Sequence, residues 1–304
     1  MIVEATGLTK TYGTSTVLDD ITLGVQEGTV FALLGPNGAG KTTAIRILTT
    51  LTRPTAGTAR VAGHDVVRDP TGVRAAISLT GQFSAVDDQQ TGRENLTMIG
   101  RLMHLGPAAR TRAVELLERF DLHHAADRRV KTYSGGMRRR LDLAMSLVSR
   151  PRVVFLDEPT TGLDPLSRTT MWEAIKDLVT AGTTIVLTTQ YLEEADRLAD
   201  HVALLHHGRV AVSGTTDALK SQIDGHRLTL TFTTTAARTE AATLLTTNPN
   251  TDDPLALTVP SDGTAHHLHH VLDRLRTADI PLQTINSHRP TLDDVFLAVT
   301  TTAR

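Results

Sequence analysis

Apolar and polar residues alternate at the start of the chain and then give way to a short apolar run. Residues 2–13 (IVEATGLTKTYG) and 15–25 (STVLDDITLGV) predict two strands of an antiparallel hairpin. Residues 29–35 (TVFALLG) are apolar on both faces and end in glycine, which predicts a buried strand leading into a loop. Apolar residues at helical spacing in TTAIRILTTL then predict a helix over 42–51.

A helical stretch separates this part from a second series of strands. Residues 91–150 carry apolar side chains every three or four positions, which predicts a mostly helical block. After it the pattern predicts, in order, a strand at PRVVFLDEP, a helix around Leu166–Val179, a buried strand at TTIVLTT, a helix at YLEEADRLAD and a hairpin around Gly208. Strands that alternate with helices in this way predict a parallel sheet.

The pattern changes near residue 224, where we place a domain boundary. Residues 225–304 predict strand, helix, strand, helix, strand and helix in turn. We therefore expect a small α+β domain over residues 225–304, following an α/β domain over residues 1–224.

The glycine-rich segment GPNGAGKT follows the first buried strand and precedes a helix. It matches G-x-x-x-x-G-K-[ST], a loop whose backbone N–H groups bind phosphates. The Lys41 ammonium can reach the β- and γ-phosphates of a nucleotide, and the Thr42 hydroxyl can bind Mg²⁺. The predicted nucleotide-binding residues here are Gly35, Pro36, Asn37, Gly38, Ala39, Gly40, Lys41, Thr42 and Thr43.

Two carboxylates, Asp157 and Glu158, come directly after the apolar run VVFL. In parallel sheets ligands bind at the carboxyl ends of the strands. Asp157 is a candidate ligand of Mg²⁺, directly or through a water, and Glu158 is a candidate to orient or deprotonate an attacking water. Together with the glycine-rich loop, this pair predicts a P-loop NTPase without saying of which kind.

The amino-acid composition excludes several classes of function. The 304 residues include 31 Lys and Arg against 33 Asp and Glu, for a net charge of −2. Since nucleic-acid-binding proteins usually show a basic excess, we expect no nucleic-acid partner. The absence of cysteine excludes disulfides, thiolate zinc sites and cysteine nucleophiles. No segment resembles a signal peptide or approaches the roughly 20 apolar residues of a membrane span, so a role at a membrane would require a second chain.

A third motif, YSGGM at residues 133–137, gives the chain its family resemblance. It resembles the LSGGQ signature of ABC-type ATPases, with Tyr for Leu and Met for Gln, and it precedes the acidic strand end as in that family. The resemblance covers residues 1–224. It implies a P-loop NTPase fold of the ABC type, with a parallel core sheet, an antiparallel β subdomain and a helical subdomain at about 91–150, and it implies ATP and Mg²⁺ as ligands.

The same resemblance assigns roles to residues outside the phosphate loop. It implies that the Tyr12 ring stacks on adenine and that Gln82 contacts Mg²⁺ and the attacking water. It also implies that two copies of the chain sandwich the nucleotide, each presenting its signature to the phosphate loop of the other. The residues implied to act across that dimer are Ser134, Gly135, Gly136 and Asp164.

One position departs from the family pattern. ABC-type ATPases usually have a histidine after the last buried strand, whereas this chain has Gln190. A glutamine amide can donate to a phosphate but carries no charge. We therefore expect Glu158 to be the main catalytic residue, with Gln190 and Gln82 assisting.

Two segments point to a subfamily. TTQYLEEADRLAD, with its glutamine, and LDDVFLAVT at 292–300 resemble the ATP-binding subunits of daunorubicin/doxorubicin-type resistance exporters of bacteria. This resemblance implies a homodimer on the inner face of the cell membrane that powers export of a drug-like compound. It also implies a separate membrane-spanning permease, docked near Gln82 and the helical block.

Other functions remain open at this stage. An importer subunit, a lipid or polysaccharide exporter subunit and a soluble ABC ATPase would share the same motifs. The soluble types known to us carry tandem ATPase domains or a long coiled-coil insertion, and neither is present here. A non-hydrolysing scaffold role is disfavoured because Lys41, Asp157 and Glu158 are all in place.

Clusters of basic residues invite alternative interpretations. We expect the histidines of the helix HHLHHVLDRLRT, namely His266, His267, His269 and His270, to form a solvated face and not a metal site. We likewise expect Arg138–Arg140 to form an exposed helix face and not a nucleic-acid patch.

Overall fold

The computed structural model describes residues 1–81, 85–221, 226–247, 253–288 and 291–302. The chain divides into two compact units, residues 1–216 and 217–304. The division falls a short distance before residue 224, where the sequence pattern changes. Gln82 lies outside the described residues.

The first unit contains ten strands among the described residues. They are β1 (Val3–Tyr12), β2 (Ser15–Val25), β3 (Val30–Leu34), β4 (Ala56–Val61), β5 (His64–Asp65), β6 (Ile77–Thr80), β7 (Val153–Asp157), β8 (Thr184–Thr189), β9 (His201–His206) and β10 (Arg209–Gly214).

Six of these strands form the core sheet, in the order β10-β9-β3-β8-β7-β6. The strands from β9 to β6 run parallel, and β10 pairs antiparallel with β9 as the expected hairpin around Gly208. Every residue of β3, β7 and β8 is buried, because helices cover both faces of such a sheet. The predicted parallel sheet is confirmed.

The other four strands form an antiparallel sheet in the order β2-β1-β4-β5. The alternating pattern at the chain start gives the expected β1–β2 hairpin. Leu8, Leu18 and Ile21 from this sheet pack in one apolar core with Phe31 and Phe155 of the core sheet. The antiparallel subdomain is therefore fixed to the parallel sheet by a shared hydrophobic core.

The helices of the first unit are α1 (Lys41–Leu48), α2 (Pro70–Ala76), α3 (Gly92–Leu102), α4 (Ala108–Arg119), α5 (Gly135–Ser146), α6 (Pro165–Thr180) and α7 (Leu192–Leu198). A further helix, α8 (Thr216–Ser221), starts at the division between the two units. The predicted helical block at 91–150 corresponds to α3, α4 and α5 with two short 3₁₀ turns between them. The sequence pattern gave no expectation for β4, β5, α2 and β6, which follow one another between residues 56 and 80.

The second unit has the expected order of strands and helices. Its elements are β11 (Arg227–Phe232), α9 (Thr235–Leu244), β12 (Ala256–Pro260), α10 (Ala265–Thr277), β13 (Leu282–His288) and α11 (Leu292–Thr302). The strands form an antiparallel sheet in the order β12-β11-β13. Leu228, Leu230 and Phe232 pack against α9 and α10 in a core of their own.

The histidine-rich helix α10 has the expected orientation. Val271 and Leu275 are buried, His266, His269 and His270 are exposed, and His267 is half-buried. No helix in the described part of the chain is both long enough and apolar enough to cross a membrane.

The first helix of the helical block starts with a complete capping box, which allows a stability test. Thr91 Oγ1 accepts from the Glu94 N–H (3.2 Å), and Glu94 Oε2 accepts from the Thr91 N–H (2.8 Å). We expect Thr91→Ala to lower the free energy of unfolding by about 1 kcal/mol, because the Glu94 N–H loses its acceptor. Urea denaturation would measure this. Thr97→Ala, in the interior of the same helix, should cost less or nothing, and equal losses in both variants would contradict the assignment.

Candidate functional site

Three neighbouring strand ends form the base of the site. β8 lies between β3 and β7, with Leu34 opposite Thr189 and Asp157 opposite Thr188. Because these strands are parallel, the segments that follow them leave the sheet at the same edge. They are the glycine-rich loop, the acidic pair and the segment around Gln190.

The glycine-rich loop leads directly into α1. Gly40 is the N-cap residue, with a φ of 107° and no side chain to cap the helix. A Cβ at Gly40 would lie 2.6 Å from Leu18 Cδ2 and 2.8 Å from the Val17 carbonyl, so glycine is required by backbone angle and by space. The first turn of α1 contains no acidic residue, so its free N–H groups suit an anion.

Lys41 is buried, with its side chain lying along the loop. Its Nζ donates to the carbonyls of Gly35 (2.8 Å) and Pro36 (3.2 Å) and lies 3.6 Å from Glu158 Oε1. Both side chains are less than a tenth exposed. The motif's remaining residues differ in exposure. Pro36, Asn37, Gly38 and Thr42 are exposed, Thr43 is half-buried, and Gly35, Ala39 and Gly40 are buried.

Asp157 ends β7 with its carboxylate held from two sides. Its Oδ1 accepts from Thr188 Oγ1 of the adjacent strand (2.5 Å) and from Thr42 Oγ1 of the phosphate loop (3.4 Å). The predicted Mg²⁺ ligands Thr42 and Asp157 are therefore neighbours. A hydroxyl beside a carboxylate supplies the hard oxygen ligands that Mg²⁺ prefers, so these two residues fit the ion.

Glu158 has an unusual backbone. Its φ is +51°, in the left-handed region that non-glycine residues rarely adopt. The conformation is held by the Glu158 N–H, which donates to the carbonyl and to Oγ1 of Thr188, both at 3.1 Å. The Glu158 carboxylate also accepts from Thr161 Oγ1 (3.3 Å). A strained backbone at an acidic strand end is typical of functional sites.

Arg139, in the second turn of α5, connects the helical block to the acidic pair. Its guanidinium donates to the carbonyls of Pro159 (2.8 Å), Glu158 (3.4 Å) and Asp157 (3.5 Å). It also donates to the Gly81 carbonyl at 3.0 Å and to the Asp142 carboxylate at 3.2 Å. Burial lowers the pKa of Arg139 from its usual value, an effect that the Asp142 charge opposes.

This arrangement corrects one expectation from the sequence. Arg138–Arg140 is not an exposed helix face, because the Arg139 side chain is only 11% exposed and Arg140 only 18%. Helical spacing could have indicated this, since Arg139 lies three positions after the buried Gly136 and four before the buried Leu143. The burial of Arg139 was not predicted because a charged side chain is ordinarily expected to be exposed.

The SGG segment and Asp164 both occupy helix N-termini. Ser134 caps α5, accepting from the Met137 N–H (3.2 Å), and Asp164 caps α6, accepting from the N–H (2.9 Å) and hydroxyl (2.6 Å) of Ser167. These Ser167 hydrogen bonds lower the pKa of Asp164. A Cβ at Gly136 would lie 2.4 Å from Ser167 Oγ, so the signature and the Asp164 segment pack together. Ser134, Gly135 and Asp164 remain exposed.

Gln190 is exposed directly after β8, between two anchored residues. The Tyr191 N–H donates to Thr189 Oγ1 (2.9 Å), and the Arg168 guanidinium of α6 lies 5.2 Å from the Tyr191 ring centre.

Tyr12 lies at the tip of the β1–β2 hairpin with its ring half exposed and Lys10 Nζ 4.7 Å from the ring centre. The β2 strand of this hairpin contacts the phosphate loop at Gly40.

Comparisons with known proteins identify the relatives of this chain. The family model described as ABC transporter matches residues 18–161. The daunorubicin/doxorubicin resistance ATP-binding protein of Streptomyces peucetius is 48% identical over 304 residues, covering 98% of this chain and 92% of that protein. The doxorubicin resistance ATP-binding protein of Mycobacterium tuberculosis (strain H37Rv) is 48% identical over 316 residues, covering 99% and 94%.

A solved structure shows the same fold. It is the dimeric post-hydrolysis state of an ATP-binding cassette bound to ADP and Pi, and it aligns with a TM-score of 0.62 at 25% identity. The alignment covers 70% of this chain and 98% of that chain.

The Arg139 contacts yield a prediction with a neighbouring control. We expect Arg139→Met to lower the free energy of unfolding by about 2–4 kcal/mol, because buried carbonyls and Asp142 lose a charged donor. Arg139→Lys should recover only part of this, since an ammonium cannot match the planar fork of a guanidinium. Arg138→Met, which removes a partly exposed ion pair with Asp88, should cost under about 1 kcal/mol. Chemical denaturation measures all three, and a similar cost for the two Met variants would refute the role of Arg139.

Proposed function

Since the chain belongs to the ABC transporter family of ATP-binding proteins and is an ATPase, we propose that Glu158 is its main catalytic residue. The observation that carries this is the buried Glu158 carboxylate, 3.6 Å from the phosphate-loop Lys41 at the shared strand edge. A carboxylate there lies beside the position of a nucleotide's terminal phosphate. It is therefore placed to orient or deprotonate an attacking water.

Gln190 has a supporting role in this proposal. Its exposed amide follows β8, the strand between those that carry the loop and the acidic pair. The amide can donate to the γ-phosphate but cannot carry positive charge. Of the residues in this chain, Lys41 would therefore stabilise the charge on the phosphate, and Glu158 would take the proton from the attacking water. Gln82 completes the proposed set.

We further propose that Thr42, Asp157 and Gln82 hold Mg²⁺ with the phosphates of ATP. The Thr42–Asp157 contact supports the first two. When bound, the ion supplies charge neutralisation of the β- and γ-phosphate oxygens. Residues 35–43 bind the phosphates, and the exposed Tyr12 ring offers a stacking face to adenine.

The signature residues imply a dimer. Ser134, Gly135 and Asp164 are exposed at helix N-termini and lie on one connected surface through the Gly136–Ser167 contact. We propose that this surface meets the nucleotide bound by a second copy. ATP then joins the two copies, and hydrolysis releases them.

The proposed partner is a membrane permease, which would hold the chain on the inner face of the cell membrane. A groove of about 920 Å³ runs along α3 and α4 and is lined by Gln90, Met98, Leu102 and Val114, among others. Leu102 and Met103 are more than half exposed. Exposed apolar side chains beside a groove suit a helix of a protein partner.

We propose a drug or antibiotic-like hydrophobic compound as the exported substrate. The two resistance proteins match nearly the whole chain, including the second unit. We assign residues 1–224 to the ATP-binding domain and 225–304 to an accessory domain. An importer subunit, or an exporter of lipid or polysaccharide, is the alternative within the family.

The catalytic assignment predicts a separation of binding from hydrolysis. Glu158→Gln should still bind Mg–ATP but hydrolyse it at least about 100-fold more slowly, because the amide cannot accept a proton. Gln190→Ala should have a smaller effect. Steady-state phosphate release and equilibrium nucleotide binding measure the two properties.

Glu173→Gln, an exposed position on α6, serves as the matched control and should keep the parent rate. Turnover by Glu158→Gln at the level of Glu173→Gln would exclude Glu158 as the main catalytic residue.

The transport assignment predicts stimulation by substrate. The full chain, purified in complex with a membrane permease that binds it, should show ATPase activity in vesicles that daunorubicin increases at least twofold. The Glu158→Gln complex should show no increase. Stimulation by a lipid or saccharide in place of the drug would support the alternative exporter.

A further inference from the structure

A carboxylic acid outside the assigned site lies at the centre of its supporting structure. Glu194 is fully buried in α7, although glutamate is rarely buried without a partner. Its neighbours Thr160, Trp172 and Thr189 are also buried. Neither the catalytic assignment nor the nucleotide-binding residues account for it.

Glu194 Oε1 accepts hydrogen bonds from two other elements. One comes from Thr160 Oγ1 (2.8 Å), in the loop after β7, and the other from Trp172 Nε1 (3.2 Å), in α6. One oxygen atom therefore joins α7, α6 and the loop after the acidic pair. Arg197 of α7 adds a contact between the same helices, with its guanidinium 5.1 Å from the Trp172 ring centre.

Each of the joined elements carries a residue of the proposed site. Thr160 follows Glu158 by two positions, and Trp172 belongs to the helix that Asp164 caps. Glu194 itself lies four positions after Gln190, in a helix that starts at Leu192. Each of these site residues is therefore connected through a short segment of its own element to a residue bonded to the Glu194 carboxyl, or to Glu194 itself.

We propose that Glu194 is a positioning residue, whose buried carboxyl fixes Gln190 and Glu158 relative to each other by joining their segments to the Asp164 helix. This inference rests on the proposed roles of Glu158 and Gln190. Glu194 touches no reacting atom, so its effect is on the placement of residues that do. Misplacement of catalytic groups by about 1 Å can cost on the order of 100-fold in rate.

The environment of Glu194 is consistent with a structural role. Burial raises its pKa, against the opposing effect of the donors Thr189, Thr160 and Trp172 and of the Arg168 charge. The Glu194 charge in turn raises the pKa of Arg139 of α5, against the larger effect of burial. Because the Glu194 pKa is raised in the folded state, the folded protein loses stability as the pH rises above the ordinary carboxyl pKa. The unfolding temperature of the parent should therefore fall relative to that of Glu194→Gln as the pH rises over that range.

Steady-state kinetics on the full chain test the proposal. Glu194→Ala should lower kcat at least about tenfold with KM for Mg–ATP within twofold of the parent. Glu194→Gln keeps an oxygen acceptor and should recover kcat to within about threefold. Thr160→Val and Trp172→Phe each remove one hydrogen-bond donor with little change of shape. Each single variant should lower kcat.

Glu193→Gln is the matched control, since Glu193 is the preceding residue and 60% exposed. It should retain the parent kcat. If Glu194→Ala does not fold, the two donor variants decide the matter. Parent kcat in both would overturn the proposal, as would a folded Glu194→Ala with parent kcat.

Trp172 offers a readout that does not depend on turnover, because it is the chain's only tryptophan. Binding of Mg–ATP should shift its emission in the parent, and Glu194→Ala should lose the shift while still binding nucleotide by equilibrium dialysis. Nucleotide binding without any shift in the parent would overturn the positioning role. A shift in a parent that does not hydrolyse ATP would instead contradict the proposed function alone.

Discussion

The parallel pairing of β3, β8 and β7 is the constraint on which the site depends. It brings the phosphate loop, the segment around Gln190 and the acidic pair to one edge of the sheet, although these segments are far apart in the sequence. Every side chain of these three strands is buried, so a shift of register would disrupt close packing on both faces of the sheet. The relative positions of Lys41, Asp157 and Glu158 are therefore fixed by the hydrophobic core before any ligand binds.

This edge of the core sheet brings several charged side chains together in a buried environment. Lys41, Asp157 and Glu158 are each less than a tenth exposed, and burying charged groups is costly unless they are paired and hydrogen-bonded. The chain offsets that cost with local donors and acceptors, namely the carbonyls around Lys41 and the threonine hydroxyls around the two carboxylates. A phosphate group between the loop and Glu158 would pair with the ammonium, which now lies against loop carbonyls.

The order of elements and the phosphate-binding and acidic residues could be predicted from the sequence, because periodicity and a spaced motif report them directly. The short elements between residues 56 and 80 could not, since brief strands such as β5 leave little pattern. Arg139 and Glu194 were missed for a different reason. Burial of a charged side chain depends on partners from other elements, such as the Pro159 carbonyl and the Trp172 indole, and sequence spacing does not record these. The role of Gln82 stays a prediction.

Two largely buried side chains, Arg139 and Glu194, hold the segment around the strained Glu158 backbone. A positive φ at a non-glycine residue costs on the order of 1–3 kcal/mol and persists only when its surroundings enforce it. Here Arg139 holds the carbonyls of Asp157, Glu158 and Pro159, Thr188 holds the Glu158 N–H, and Glu194 holds Thr160 two residues later. Because Arg139 belongs to the helix that Ser134 caps, displacement of α5 relative to β7 must either break these bonds or carry Glu158 with it. The orientation of Glu158, the proposed catalytic residue, is thus coupled to the helical block that carries the SGG segment.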